Sequence, residues 1–435
     1  MATRFDPSGP LRGRLRPPAD KSISHRAALI AAMGEGEATI EGYLDSADTR
    51  STLAAVQALG AEVEGAGPGA IEPTIRVRGV GLRGAKPAAI DVGNAGTLLR
   101  LLPGWLAGQP QGSWTLDGDD SIRRRPVDRV AAPLREMGAR LSCREDRLPP
   151  LEVEAAPLEG ISYELPVASA QVKSCLLFAG LLAEGETWVG EPLRSRDHTE
   201  RMLAAAGAEV LWLEGGVTVR PAEALEPGDL AIPADFSSAA FFLLAALLVP
   251  DSEVELPRVG TNPTRTGLLG VLERMGAEIE VEVEAVGKHG GEPIGTIRAR
   301  ATELRGTEVG GKEIPLAIDE LPLIALAACF AEGETTIRDA AELRRKESDR
   351  IVTTCEALAA LGATVEARED GMRIEGGGGL RGGAIESHGD HRIAMLAAVA
   401  GLASREGVEV EGMDAAAISY PGFESDLASL LGSSG

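Results

Sequence analysis

Residues 18–42 read PADKSISHRAALIAAMGEGEATIEG: a polar turn, an apolar run rich in Ala and Leu, a Gly-Glu turn and a short β-prone segment. The phrase returns five times, as GNAGTLLRLLPGWLAGQPQGSWTLDG (93–118), PVASAQVKSCLLFAGLLAEGETWVGEP (166–192), IPADFSSAAFFLLAALLVPDSEVELP (232–257), IDELPLIALAACFAEGETTIRDA (318–340) and ESHGDHRIAMLAAVAGLASREGVEVEG (386–412). Repetition on this scale decides the architecture before any residue is given a task. A second helical phrase follows each of the first five copies and closes on nearly the same letters: ALGAEV, EMGARL, AAGAEV, RMGAEI and ALGATV, at Gly60, Gly138, Gly207, Gly276 and Gly362. Glycine suits the left-handed residue that ends a helix. The closing glycines recur every 69 to 86 residues, too far apart for a solenoid of helix pairs, so each unit reads as a small α/β layer of strand, helix, strand, helix, strand. The sixth is cut short at YPGFESDLASLLG.

PAD followed closely by Ser occurs twice, at Pro18–Ser22 and Pro233–Ser237, with three units between and three outside. Two pseudo-symmetric halves follow, 19–232 and 1–18 plus 233–435, joined by two crossovers that form a hinge. A ligand held between halves would draw residues from several units. A chain of 435 residues exceeds one core, and 44% hydrophobic with 3% aromatic residues implies cores of Ala, Leu and Val. The apolar run Ala239–Val249 is too short to cross a bilayer, and the N-terminal residues lack the apolar stretch of a secretory signal. The expectation is a cytoplasmic protein with no membrane partner. A net charge of −23 argues against nucleic acid and suits solubility. Cys143, Cys175, Cys329 and Cys355 form no CxxC and read as reduced core residues.

Against that acidity, cations stand at helix starts or in the loops leading to them: Lys21, Arg26, Arg100, Arg123 to Arg125, Lys173, Arg196, Arg344 to Lys346, Arg350 and Arg392. There they oppose the helix dipole unless an anion is bound, so together they point to a multiply charged substrate. Singly, each is open to the plainer reading of a locally paired surface residue. Lys346 and Arg350, spaced i, i+4, would share a helical face with Glu347 one step round. Read one way this is a solvated ion-paired face, read the other a pair of cations beside a carboxylate that trades a proton. Asp319 opens a very apolar helix as its N-cap or as a base. Ser169, Gln171 and the Asn94–Thr97 turn supply neutral donors at equivalent points of other units.

Three motifs mislead. GTEVGGK at 306–312 approaches a P-loop but runs into Glu313 and Pro315 without the Ser/Thr or the helix. His388, Asp390 and His391 lack a third ligand cluster for a metal. No nucleophile motif appears, which disfavours covalent catalysis.

Taken in order, DKSISHRAALIAA, GNAGTLLR, RRRPVDRVAAPLREMGA, VASAQVKS, SRDHTE, NPTRTG, IDELPLIALAACFAEG, ELRRKESDRI and GDHRIAM resemble the 5-enolpyruvylshikimate-3-phosphate synthase family along essentially the whole chain. The resemblance implies an α/β fold of two domains, each of three βαβαββ repeats, closing over the substrates. It implies transfer of the enolpyruvyl group of phosphoenolpyruvate to the 5-hydroxyl of shikimate 3-phosphate with release of phosphate, using neither metal nor organic cofactor; a monomer is the expectation, which the sequence itself does not fix. Carried over by position, Lys21, Ser22 and Arg26 would hold shikimate 3-phosphate, Lys21 also reaching phosphoenolpyruvate. Ser169, Gln171 and Arg196 would bind the ring and its phosphate, and Gly96, Arg125, Arg350 and Arg392 would face phosphoenolpyruvate. Asp319 would take or orient the hydroxyl proton, Lys346 would contact shikimate 3-phosphate, and Glu347 or Lys21 would protonate the methylene carbon. Ile418 departs from the family, many members of which carry Lys there, and Gly96 predicts sensitivity to glyphosate. The competing readings are a UDP-N-acetylglucosamine enolpyruvyl transferase, which would want a reactive Cys in a mobile loop, and a noncatalytic repeat scaffold.

Overall fold

A computed structural model describes residues 2–65, 73–286 and 291–431. The five repeated glycines explain why the layers look alike. Each takes a positive φ, from +90° at Gly207 to +105° at Gly60, just past the helices Ala47–Ala58, Asp128–Glu136, His198–Ala205, Gly267–Arg274 and Arg350–Ala360. In the first, Gly60 N donates to Gln57 O at 2.9 Å and Ala61 N to Val56 O at 3.0 Å, and the same two bonds recur at Gly138, Gly207, Gly276 and Gly362. This Schellman closure satisfies the last carbonyls and turns the chain into the next strand.

Among the described residues the strands make five four-stranded sheets and one three-stranded sheet. The second repeat shows the pattern: Ala88–Asp91 runs parallel to Ser113–Asp117, which pairs antiparallel with Leu148–Glu154, and that strand with Arg140–Arg144. Two repeats borrow their first strand from far away in sequence. Leu230–Ala231 lies parallel to Glu37–Glu41, and Arg12–Arg14 parallel to Glu253–Gly260. The truncated sixth repeat pairs Gly383–Glu386 with Val408–Glu411 and is completed by Ala2–Phe5.

The first helix of each repeat, being apolar nearly all round, is buried nearly all round. Gly104 shows how close such helices come: a Cβ there would lie 2.0 Å from Cys175 O, so Gly96–Ala107 and Ala170–Gly180 meet backbone to backbone. Two separate cores result. The chain divides accordingly into unit 1, Met1–Pro18, Ala234–Ala285 and Pro293–Gly435, and unit 2, Ala19–Pro233 with Val286–Glu292. The last piece was not anticipated in the sequence; its Glu292 meets His198 Nδ1 at 2.8 Å. The domain ranges expected from the sequence also take in residues 1, 66–72, 287–290 and 432–435, which lie outside the described residues.

Three local expectations need correction. Glu320, not Asp319, is the N-cap of Leu321–Phe330, and Asp319 sits in the preceding turn. Lys346 and Arg350 do not share a helical face: Asp349 accepts from Val352 N and starts the helix at Arg350, leaving Lys346 extended at φ −83°, ψ −158°. The P-loop-like stretch does lead into a one-turn helix, Ile314–Ala317, because Pro315 falls in its first turn, where a missing N–H costs nothing. Among the described residues no helix is long and apolar enough to cross a membrane, and no group of three His, Cys, Asp or Glu is placed to hold a metal ion.

Candidate active site

In unit 2, Asp20 accepts from Ile23 N at 2.8 Å and so places Lys21 and Ser22 in the first turn of Lys21–Met33. Lys21 Nζ lies 3.1 Å from Asp48 and is 30% exposed. One turn on, Arg26 is 3% exposed, donating to Thr199 Oγ1 at 2.7 Å, Ser22 O at 2.9 Å and Ser174 Oγ at 3.1 Å. Burial pulls its guanidinium down to about 10 against the field of Glu200, so it stays charged at neutral pH. Arg196 lies close enough to lower it further.

A second group gathers at the start of Gly96–Ala107. A Cβ on Gly96 would sit 2.9 Å from Arg125 Nη1 and 3.2 Å from Arg100 Nη1, so two guanidinium groups crowd this turn. Arg125 donates to Asn94 Oδ1 at 2.8 Å and Ser121 Oγ at 3.2 Å, and Asn94 Nδ2 to Asp119 at 2.6 Å. Arg100 Nη1 donates to Gln171 Oε1 at 3.1 Å, whose Nε2 reaches Thr97 Oγ1 at 3.3 Å. Ser169 caps the helix carrying Gln171, accepting from Val172 N. Lys173, read in the sequence as an anion-binding cation, is not one: it is 1% exposed, 2.7 Å from Glu191 and 2.6 Å from Glu200.

Unit 1 brings its candidates around one carboxylate. Asp319 has Arg350 Nη1 at 3.4 Å, Lys346 Nζ and Arg392 Nη2 at 3.6 Å and Arg265 Nη1 at 3.8 Å. Arg350, 1% exposed, also donates to Asp390 Oδ2 at 2.9 Å and Glu347 Oε2 at 2.6 Å. Asp390 caps His391–Ala403, accepting from Arg392 N at 2.9 Å, which fixes that arginine at the helix start. Arg392 then reaches Asp319 O and Ser237 Oγ, each at 3.1 Å. Ser237 and Arg265 bond to each other and both to buried Glu320.

Desolvation pushes the Glu347 carboxyl up, but Arg350, His391 and Lys346 outweigh it and hold it at about 2. Burial, helped by Arg392, takes His391 down to about 4 and keeps it neutral. Of the residues proposed from sequence, Lys21, Ser22, Arg26, Gly96, Arg125, Ser169, Gln171 and Arg196 fall in unit 2, and Asp319, Lys346, Glu347, Arg350 and Arg392 in unit 1. Sequence reasoning gave no task to Arg265, Glu320, Ser237, Asp390 or Thr199. The second PAD–Ser phrase was a signal for Ser237; nothing local marked Glu320.

Layered α/β repeats that set cations on helix first turns beside carboxylates define a class of enzyme acting on small anionic substrates. The chain matches the family described as EPSP synthase (3-phosphoshikimate 1-carboxyvinyltransferase) over residues 5–427 and belongs to it. It is 52% identical to the 3-phosphoshikimate 1-carboxyvinyltransferase of Gloeobacter violaceus, covering 98% of each chain, and 52% identical to one from Thermus thermophilus, covering 100% of each. Its fold is similar to an EPSP synthase structure from Acinetobacter baumannii, with a TM-score of 0.89 at 41% identity, covering 98% of this chain and 97% of that one.

Proposed function

We infer that the two clusters carry out the family's reaction in this chain. It transfers the carboxyvinyl group of phosphoenolpyruvate to the 5-hydroxyl of shikimate 3-phosphate and releases phosphate. The observation that carries the assignment of residues is the convergence of Lys346, Arg350 and Arg392 on Asp319, with Glu347 on the same Arg350.

In this proposal Lys21, Ser22, Arg26, Ser169, Gln171, Arg196 and Lys346 bind shikimate 3-phosphate. Gly96, Arg125, Arg350 and Arg392, with Lys21, face phosphoenolpyruvate. Two repelling anions are brought together by offsetting their charge and fixing their orientation. A proton adds to the methylene carbon, the 5-hydroxyl oxygen attacks the adjacent carbon, and Asp319 takes or orients the hydroxyl proton. In the resulting tetrahedral adduct the carbon–oxygen bond to phosphate breaks while a methyl proton leaves, restoring the vinyl ether.

Glu347 at about 2 is a base, not an acid. Substrate anions engaging Arg350 and Lys346 draw off the field that holds it there, and its carboxyl rises until it can carry the proton to the methylene. The acid thus forms only when the substrate is present. Cys175 and Cys329, with thiols pushed by burial to about 12, and Cys355, pushed to about 11, offer no thiolate nucleophile and weigh against the UDP-N-acetylglucosamine reading.

The deciding measurement is phosphate release from phosphoenolpyruvate with either acceptor. Release is expected with shikimate 3-phosphate alone, and Asp319→Asn and Glu347→Gln should each lower turnover by about 100-fold or more. Near-parental rates would remove both residues from the mechanism. The proposal further has the protein acting in the cytoplasm as a monomer, with the crossovers at residues 18–19 and 233–234 serving as a hinge; sedimentation as a dimer would overturn the monomer.

A further inference from the structure

Lys173 is a cation from the sequence reading that the reaction leaves without a task, and it sits in an unfavourable place for a charge. Its side chain is 1% exposed, and the two carboxylates that hold it, Glu191 and Glu200, are 9% and 2% exposed. Burying such ions costs several kcal/mol each, and well-packed apolar side chains often serve stability as well or better. What the ions give here is geometry. Glu191 uses Oε1 for Lys173 and Oε2 for Ser195, accepting from the backbone N–H at 3.1 Å and from the hydroxyl. Ser195 immediately precedes Arg196. On the other side Asp197, 2% exposed, is held by Arg201 Nε at 2.8 Å and Arg194 Nη2 at 3.1 Å. Glu200 stands in the first turn of His198–Ala205, next to Thr199, whose hydroxyl accepts from Arg26 Nε at 2.7 Å and meets Ser174 Oγ at 2.6 Å.

We propose that Lys173 is a positioning residue for shikimate 3-phosphate: through Glu191 and Ser195 it fixes the backbone that presents Arg196, and through Glu200 it fixes the helix turn that holds Arg26. This rests on the reading that Arg196 and Arg26 bind that substrate. One buried ammonium then sets two cations that lie far apart in sequence, and it does so without touching the ligand. A displacement of the arginine pair weakens binding of one substrate and leaves the chemistry at Asp319 and Glu347 as it was.

Initial rates with each substrate varied in turn test this on the full chain. Lys173→Met and Glu191→Gln should raise KM for shikimate 3-phosphate by about tenfold or more, while kcat and KM for phosphoenolpyruvate stay within about threefold. Ser195→Ala should reproduce part of the rise, and adding it to Glu191→Gln should bring little more, because both act along one path. Thermal unfolding monitors the fold. Should Lys173→Met fail to fold, Glu191→Gln keeps an oxygen toward Lys173 and still reports. Equal changes for both substrates, additive effects, or a folded Glu191→Gln with parental KM would overturn the proposal. Two controls separate it from its premise. A parent chain that releases no phosphate with shikimate 3-phosphate removes the functional reading and this proposal with it. An active parent whose Arg196→Ala variant keeps its KM leaves the function standing and removes the proposal alone.

Discussion

The two clusters solve the same electrostatic problem in opposite ways. In unit 2 the cations proposed to meet substrate are held mainly by neutral groups: Arg26 by two hydroxyls and a carbonyl, Arg125 by Asn94 and Ser121. Lys21 is the exception, 3.1 Å from Asp48, and Glu200 acts on Arg26 through its field; neutral direct partners suit a phosphate that brings its own charge. In unit 1, Arg265, Lys346, Arg350 and Arg392 are interleaved with Asp235, Asp319, Glu320, Glu347 and Asp390. In the proposed reaction an anion arriving there would compete with resident carboxylates, and displacing them would change their proton affinity. In the proposed reaction the first arrangement binds and the second also moves protons.

The largest test of that contrast is on stability. Asp390→Asn leaves Arg350, at 1% exposure, short of a charged partner and should cost about 3–5 kcal/mol in chemical denaturation. Asp48→Asn, beside the 30%-exposed Lys21, should cost less than about 1 kcal/mol. Equal losses would erase the distinction.

Acid should act on both units next. His25 in unit 2 is held by burial at about 3 and His391 in unit 1 at about 4, both below the ordinary 6.5, and Glu347 lies at about 2, below its ordinary 4.5. The folded chain therefore binds fewer protons than the unfolded one. Stability is full above pH 6.5 and drains as pH falls toward 4 and 3 through the histidines, Glu347 adding its share only below 4.5. Each unit of displacement of a buried histidine is on the order of 1.4 kcal/mol. Denaturation midpoints at about pH 7, 5.5 and 4.5 check this, with His25→Gln and His391→Gln each expected to flatten the slope. A midpoint constant across that range would show the imidazoles are not held neutral.

The smallest effect is at Gly96. A methyl group there meets the tip of Arg125, which neutral partners hold and which can swing aside. Gly96→Ala should fold normally and raise KM for phosphoenolpyruvate by a few-fold, roughly 1 kcal/mol. Turnover of the parent should fall in glyphosate and persist better in the variant; a parent that resists as well as the variant would dismiss the steric argument.

Much of this was written locally. The Gly-Ala pair after each second helix encodes its own closure because a Schellman turn needs only a few consecutive residues. The two PAD phrases encode caps, and Asp20 and Asp235 both serve as such. What escaped depends on distance in sequence. Lys173 looked like a free cation because Glu191 and Glu200 reach it only once a strand and a helix have folded back. Lys346 and Arg350 looked like helical neighbours because spacing ignores the cap that Asp349 imposes; both still reach Asp319. The strand at Leu230–Ala231 that completes the first repeat carries no mark of its partner Glu37–Glu41, since parallel pairing fixes no local pattern.

That borrowed strand bears on how the polypeptide is made. Asp20 N bonds Pro233 O at 2.9 Å and Asp235 N bonds Pro18 O at 2.8 Å, so the chain enters and leaves Ala19–Pro233 at neighbouring points. On the ribosome Ala19–Pro233 emerges before Ala234–Ala285 and Pro293–Gly435, the bulk of unit 1. The newborn strand Arg12–Arg14 must wait, unpaired, for Glu253–Gly260 to be translated. Vectorial synthesis thus gives unit 2 a head start, and Glu292, translated later, reaches His198 from the far side of a long stretch of sequence.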